Sequence, residues 1–187
     1  MPENESEISI VRSLLNEGHL IKVTSIIRTL GLAYEERDMA EGDSGRLERC
    51  GGNYRVVVNK NDGEQRRRFT AAHELAHYLL HRDLIQEHGH LDRLFSDDSE
   101  GPDPTEPLNK THEIQANKLA AEIMLPRKTI EMAYDRQADN VRELADQFHV
   151  SLKAMDARLK SLGLRTTADA HSQPGVIEAS SSSAASS

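Results

Sequence analysis

The run His73-Glu74-Leu75-Ala76-His77 places two imidazoles four residues apart, with a carboxylate directly after the first. At 3.6 residues per turn a continuous helix sets both rings on one face, close enough to bind one Zn²⁺ at about 2.0 to 2.1 Å, and Glu74 within reach of a water on that metal. The chain holds nine histidines, so an accidental match has to be weighed, and it is the helical context that gives the motif its weight. Phe69, Ala72, Ala76, Leu79 and Leu80 form an apolar stripe for such a helix to bury, and the small Ala72 and Ala76 let another element approach closely. Asp62-Gly63-Glu64-Gln65 has capping-box spacing, which predicts a helix opening there and running to about Arg82.

A catalytic zinc takes three protein ligands and keeps a fourth position for water, so one ligand is missing from this pair. His81 lies one further turn along the same face, but a helix rises about 6 Å over four residues and nothing between His77 and His81 breaks it, so His81 is expected to be a polar helix-end residue. His88 and His90, flanking Gly89 in an expected loop, stay open. The better candidate lies on a second predicted helix, from about Asn109 to Leu125 and stopped by Pro126. Around that helix Glu113 falls on the side of Ala116, Asn117, Ala120 and Met124, while Glu122 lies opposite, beside Lys118 and Gln115. An inward carboxylate needs a cation, either the metal or one of Arg66 to Arg68. Asn117 could hydrogen-bond a ligand from behind or simply pack.

The remainder of the chain limits the setting. Two predicted helices precede Gly31, and short strands at 32–34, 45–48 and 54–58, divided by Gly42, Gly51 and Gly52, predict a small antiparallel sheet. Residues 92–107 carry six acids and three prolines and are expected to be a surface loop, without EF-hand spacing. Shorter helices at 140–148 and 152–162 end at Gly163. Residues 1–166 make one domain, and 167–187, ending in serines and alanines, a tail too polar to offset its ordering entropy. A net charge of -8 disfavours direct binding to nucleic acid, a lone Cys50 excludes an internal disulfide, and the lack of an apolar run of about 20 residues argues against a membrane span. An acidic start with no apolar stretch after it leads us to expect a cytoplasmic protein.

Arg68-Phe69-Thr70-Ala71-Ala72-His73-Glu74-Leu75-Ala76-His77-Tyr78-Leu79-Leu80-His81, preceded by Val56-Val57-Val58-Asn59 and followed about 36 residues later by a block from Glu113 through Ala116-Asn117 to Met124-Leu125-Pro126, resembles the ImmA/IrrE family of metallopeptidases. The resemblance runs from roughly Ile21 to Leu164. It implies an α+β, zincin-like fold with a thermolysin-like core, in which a small sheet packs on the active-site helix and helices follow. It makes the first Glu of the second block, here Glu113, the third zinc ligand. Many members carry another Glu where this chain has Gln115, a departure of little weight if Gln115 faces solvent. Members typically cleave an XRE-type helix-turn-helix repressor, which relieves repression of stress or mobile-element genes; others look like toxins paired with such a repressor.

The implied chemistry is zinc-dependent peptide hydrolysis with Glu74 as general base. Tyr54, Tyr78, Arg68 and His112 are candidates to stabilise the oxyanion, and the strand Tyr54 to Asn59 to hold the substrate by strand addition. The rival expectation is a DNA-binding regulator: Val141 to Ser151 followed by Leu152 to Leu162 has a helix-turn-helix pattern, with the zinc site then structural or sensory. Its second helix offers Lys153, Arg158 and Lys160 against Asp156, a weak basic face.

Overall fold

A hairpin with a glycine pair at its tip organises the sheet. In a computed structural model that describes residues 3–17, 22–88, 90–94, 110–137 and 140–164, strand β2 (Asp43–Cys50) turns into β3 (Asn53–Asn59) through Gly51 and Gly52 alone. Both have positive φ, 56° and 93°, as a two-residue hairpin loop matched to strand twist requires. β3 carries Val56, Val57 and Val58, all fully buried, so it sits between neighbours on both sides. β1 (Ala33–Arg37) covers one edge, β2 the other, and β4 (His90–Leu94) adds to β2, giving the order β1-β3-β2-β4.

The sheet is therefore mixed rather than antiparallel: β1 runs parallel to β3, Tyr34 opposite Val56, while the β2 pairings are antiparallel. Two chain reversals, after β1 and at Gly51-Gly52, return β3 to the direction of β1. The same order overturns the expectation that Tyr54 to Asn59 takes a substrate strand, because both edges of β3 are already bonded; the edges of the described sheet belong to β1 and β4. On the outer face Arg37 and Arg46 each bond Glu48 at 2.8 and 2.9 Å. Burial alone would raise the Glu48 carboxyl, but these bonds hold it below its ordinary range.

The inner face packs on α3 (Glu64–His88), which runs past the expected end near Arg82. Ala71, Ala72, Leu75, Ala76 and Leu79 are at most 1% exposed and meet Leu47, Val56 and Val58 in the core. Gly45 sets how close the helix comes: a Cβ there would strike Thr70 Cγ2 and lie 2.7 Å from the Val57 carbonyl oxygen. Phe69 and Leu80, expected in the buried stripe, are instead 36% exposed. No capping box forms at the start of α3, where Asp62 pairs with Arg66 at 3.3 Å.

α1 (Glu3–Leu15) is tied to the far side of α3 through Glu7, whose carboxylate accepts from Tyr78 and Arg82, and α2 (Val23–Thr29) buries Ile26 and Ile27 completely. α4 (Lys110–Met124) lies along α3, and Pro126 separates it from α5 (Arg127–Gln137). α6 (Val141–Gln147) and α7 (Leu152–Leu162) close the domain, with Gly163 at φ 75° ending α7 as expected. The expected acidic loop enters the described residues only as 92–94, which belong to β4; the rest of it, and the 167–187 tail, lie outside them. No described helix is long and apolar enough to cross a membrane.

Candidate metal centre

α3 and α4 run antiparallel, so contacts step forward along one and back along the other: His73 meets Asn117, and His77 meets Glu113. Both imidazoles are fully buried, and their Nε2 atoms are 3.0 Å apart. The Glu113 carboxylate closes the group from α4, Oε2 at 3.2 Å from His73 Nε2 and Oε1 at 3.5 Å from His77 Nε2. All three side chains offer a ligand atom within 4.8 Å of the others. The Glu113 side chain is 34% exposed, so the group opens towards solvent on that side.

The other ring nitrogens decide whether this cluster suits a cation. His73 Nδ1 lies 3.1 Å from Asn117 Oδ1, an acceptor, so Nδ1 carries the proton and Nε2 a lone pair. His81 Nε2 lies 3.0 Å from Gln115 Oε1, which puts the His81 proton on Nε2 and leaves Nδ1 to accept. Across the 3.1 Å separation His77 Nδ1–H then donates to His81 Nδ1, and His77 Nε2 also holds a lone pair. Two lone pairs and a carboxylate converge on one point, an arrangement that repels itself until a cation enters. Tetrahedral zinc with bonds of about 2.0 to 2.1 Å separates its donor atoms by about 3.3 to 3.4 Å, near the 3.0, 3.2 and 3.5 Å found here. The donors fit zinc, and backing of each ligating histidine by a hydrogen bond is what metal sites use to fix the tautomer.

Glu74, on the same turn as His73, is 1% exposed. Burying a carboxylate costs several kcal/mol, a cost proteins bear mostly where chemistry needs the group. One turn earlier, Thr70 abuts Gly45 of β2, so this side of α3 faces the sheet while the histidines face α4.

The structure redistributes several side chains. His81 is no helix-end residue: it is 4% exposed in mid-helix, bridges His77 to Gln115, and has the His112 ring 4.8 Å away. Its role was missed because α3 was expected to stop near Arg82; the signal was the same four-residue spacing repeated once more. Gln115 is exposed, yet its amide oxygen reaches inward, so the helical wheel that sent it to solvent told only part of its position. Glu122 is half-buried at the edge of a groove rather than fully in water. The alternative pairing of Glu113 with an arginine does not occur: Arg66 bonds Ser44, Arg67 approaches Glu36, and Arg68 donates to the carbonyls of Phe148 and His149.

Two of the four oxyanion candidates are engaged elsewhere. Tyr78 donates to Glu7, and burial, then that bond, pushes its hydroxyl up to about 12. Arg68 is spent on the two carbonyls, whereas Tyr54 packs edge-on against Tyr78 at 5.0 Å with its hydroxyl buried and without a partner among the described residues. His112 alone lies beside the centre, next to Glu113 and against His81. The side chains of His88 and His90 fall outside what the structure describes.

Comparison with known proteins agrees with this layout. A solved structure described as a Mycobacterium tuberculosis transcriptional regulator shares the fold with a TM-score of 0.54 at 16% sequence identity. The match covers 84% of this chain and 48% of that one, so the chain spans about half the length of that protein. No curated protein matches the sequence. Residues 29–160, well over half the chain and including every member of the His73, His77, Glu74 and Glu113 group, match the sequence model of the IrrE N-terminal-like domain of peptidase family M78, and the chain belongs to that family.

Proposed function

We propose that the chain is a zinc-dependent endopeptidase of the cytoplasm, with His73, His77 and Glu113 holding the metal and Glu74 as general base. The convergence of two histidine lone pairs, 3.0 Å apart and each fixed by a hydrogen bond at the opposite ring nitrogen, carries this reading. When bound, zinc supplies Lewis acidity towards water and the scissile carbonyl. Glu74 takes a proton from the attacking water and returns it to the leaving amine, so its carboxylate begins and ends the cycle ionised. Asn117 and the His81–Gln115 pair keep the ligand rings from rotating, and the open flank at Glu113 admits the peptide.

The family and the repressor specificity of its members favour an XRE-type helix-turn-helix repressor as substrate, cleaved to relieve repression or met as the antitoxin partner of a toxin. The DNA-binding alternative through residues 141–162 fits the geometry less well. Lys160 pairs with Asp156 at 2.9 Å and Arg158 is half-buried beside Leu125, so of the three basic residues on α7 only Lys153 is both exposed and without an ion pair among the described residues.

Glu74→Gln separates a peptidase from a zinc sensor. The amide preserves size, and metal content should match wild type. Cleavage of a co-expressed XRE repressor should fall by about 10² to 10⁴, the usual worth of general-base catalysis. Wild-type rates in the variant would remove Glu74 from the mechanism, and inactivity of both proteins towards every repressor tried would favour the sensory or DNA-binding reading.

A further inference from the structure

A groove of about 950 Å³ opens one helical turn from the metal centre, where α3, α4 and α7 meet the end of α1. Its near end is Phe69, 36% exposed, with its ring 6.1 Å from that of His73. Leu15, Met124, Leu125 and Val150 contribute an apolar floor. The volume lies near the top of the roughly 300 to 1,000 Å³ range of ligand pockets and leaves room for several side chains.

The rim does not share the charge of the chain. On a protein of net charge -8, the groove is lined by Arg12, Arg66, Lys118, Arg127 and Arg158, against the single acid Glu122. Arg66 and Arg127 have carboxylate partners in Asp62 and Glu131. Arg12, Lys118 and Arg158 form no ion pair among the described residues. Arg158 is half-buried and spends only Nε, on the Leu125 carbonyl, so both terminal nitrogens remain to bind an anion. Burial, above all, holds its guanidinium below the ordinary value, with Glu122 opposing and Arg127 adding to the effect. A desolvated guanidinium is where a planar carboxylate gains most from two parallel hydrogen bonds.

We infer that this groove is the substrate-recognition cleft of the peptidase and takes an acidic, apolar peptide segment: apolar side chains on the floor, carboxylates on Arg158, Lys118 and Arg12. The inference rests on the peptidase reading and deepens it, since Phe69 joins the groove to the ligands and a segment held there feeds its neighbouring bond towards Glu113. The net charge of -8 does not prevent capture of such a segment, because charges beyond about 8 Å are largely screened at physiological salt and the local basic rim dominates.

The test uses zinc-loaded full-length protein carrying Glu74→Gln, so that bound peptide is not consumed. Fluorescence anisotropy is measured with two labelled peptides sharing one pattern of Leu, Phe and Ala, one filled with Glu and the other with Lys. The acidic peptide should bind at least tenfold more tightly than the basic one. Arg12→Glu with Lys118→Glu, at two exposed positions without ion pairs, should remove most of that preference while zinc content and melting temperature hold. Arg158→Gln should weaken the acidic peptide further still, with the double variant as safeguard should loss of the Leu125 bond disturb folding.

Equal affinity for the two peptides, or a preference that survives the double variant, overturns the inference. So does a tenfold gain in acidic-peptide affinity on deleting 167–187, which would make the tail of this chain the occupant, or a dimer in sedimentation that the double variant dissociates. Failure here is distinct from failure of the peptidase reading: repressor cleavage with no acidic preference sinks the groove alone, and a preference without zinc or cleavage sinks the enzyme.

Discussion

Two helix pairs lie between Glu64 and Leu162, and they bury opposite kinds of side chain. Between α3 and α4 lie His73, His77 and His81, satisfied by Asn117 and Gln115 and completed by Glu113. Between α6 and α7 lie Leu144, Phe148, Met155 and Leu159, none of them measurably exposed. The second pair is how a chain gains stability, at about 25 cal/mol per Å² of apolar surface removed from water. The first is how it loses some, because each buried polar group must find a partner to break even. On the proposed reading the polar seam is the functional one and the apolar one scaffold, although both carry a motif with a functional association. Arg68 links the pairs, donating from α3 to the carbonyls at the end of α6, where His149 takes a left-handed φ of 51°.

The contrast is sharpest for the metal. His73→Ala, His77→Ala and Glu113→Ala should each abolish stoichiometric zinc binding and with it activity, while Glu122→Ala keeps the metal; metal analysis after gel filtration reads the metal content directly. Zinc lost from Glu122→Ala and retained by Glu113→Ala would undo the ligand assignment.

In the apolar pair the currency is stability. Phe148→Ala should cost about 3 to 5 kcal/mol in denaturant unfolding, as large cavities in packed cores do. If the loss stayed under about 1 kcal/mol, α6 and α7 would not be the scaffold described here.

His81 tests the seam behind its ligands. His81→Leu fills a similar space but leaves His77 Nδ1 without its acceptor, so zinc affinity should drop by about 10- to 100-fold, the usual effect of losing a ligand's supporting bond. Stability of the metal-free protein should fall by about 1 to 3 kcal/mol, since His77 Nδ1–H is left buried without a partner. Unchanged affinity would show that His81 is packing alone.

The smallest effect is expected beyond both pairs. Removing 167–187 should leave zinc content unchanged and shift the melting temperature by no more than about 1 °C, because a serine-rich segment has little apolar surface to bury. A fall of several degrees would show that the segment docks on the domain.

Spacing alone determined much of this. His73, Glu74 and His77 are related through one local helix, so 3.6 residues per turn suffices to place them, and Glu113 was legible because helical facing set it opposite Glu122. The glycine breaks marked the hairpin, and Gly163 the end of α7, for the same reason: each is a backbone preference of a few neighbouring residues.

Pairing between distant segments was decided only by the tertiary structure. The parallel β1–β3 ladder depends on what covers the buried valines of β3, and no local pattern carries that information. His81, Gln115 and His112 became neighbours of the centre because α3 continues past Arg82 and α4 docks along it, and Tyr78 and Arg68 were drawn away by Glu7 and by the end of α6. The groove beyond Phe69 has walls from five helices scattered over some 150 residues. Local chemistry is written in the chain within a turn or two, whereas burial, partners and the shape of a cleft arise only when separate segments exclude water together.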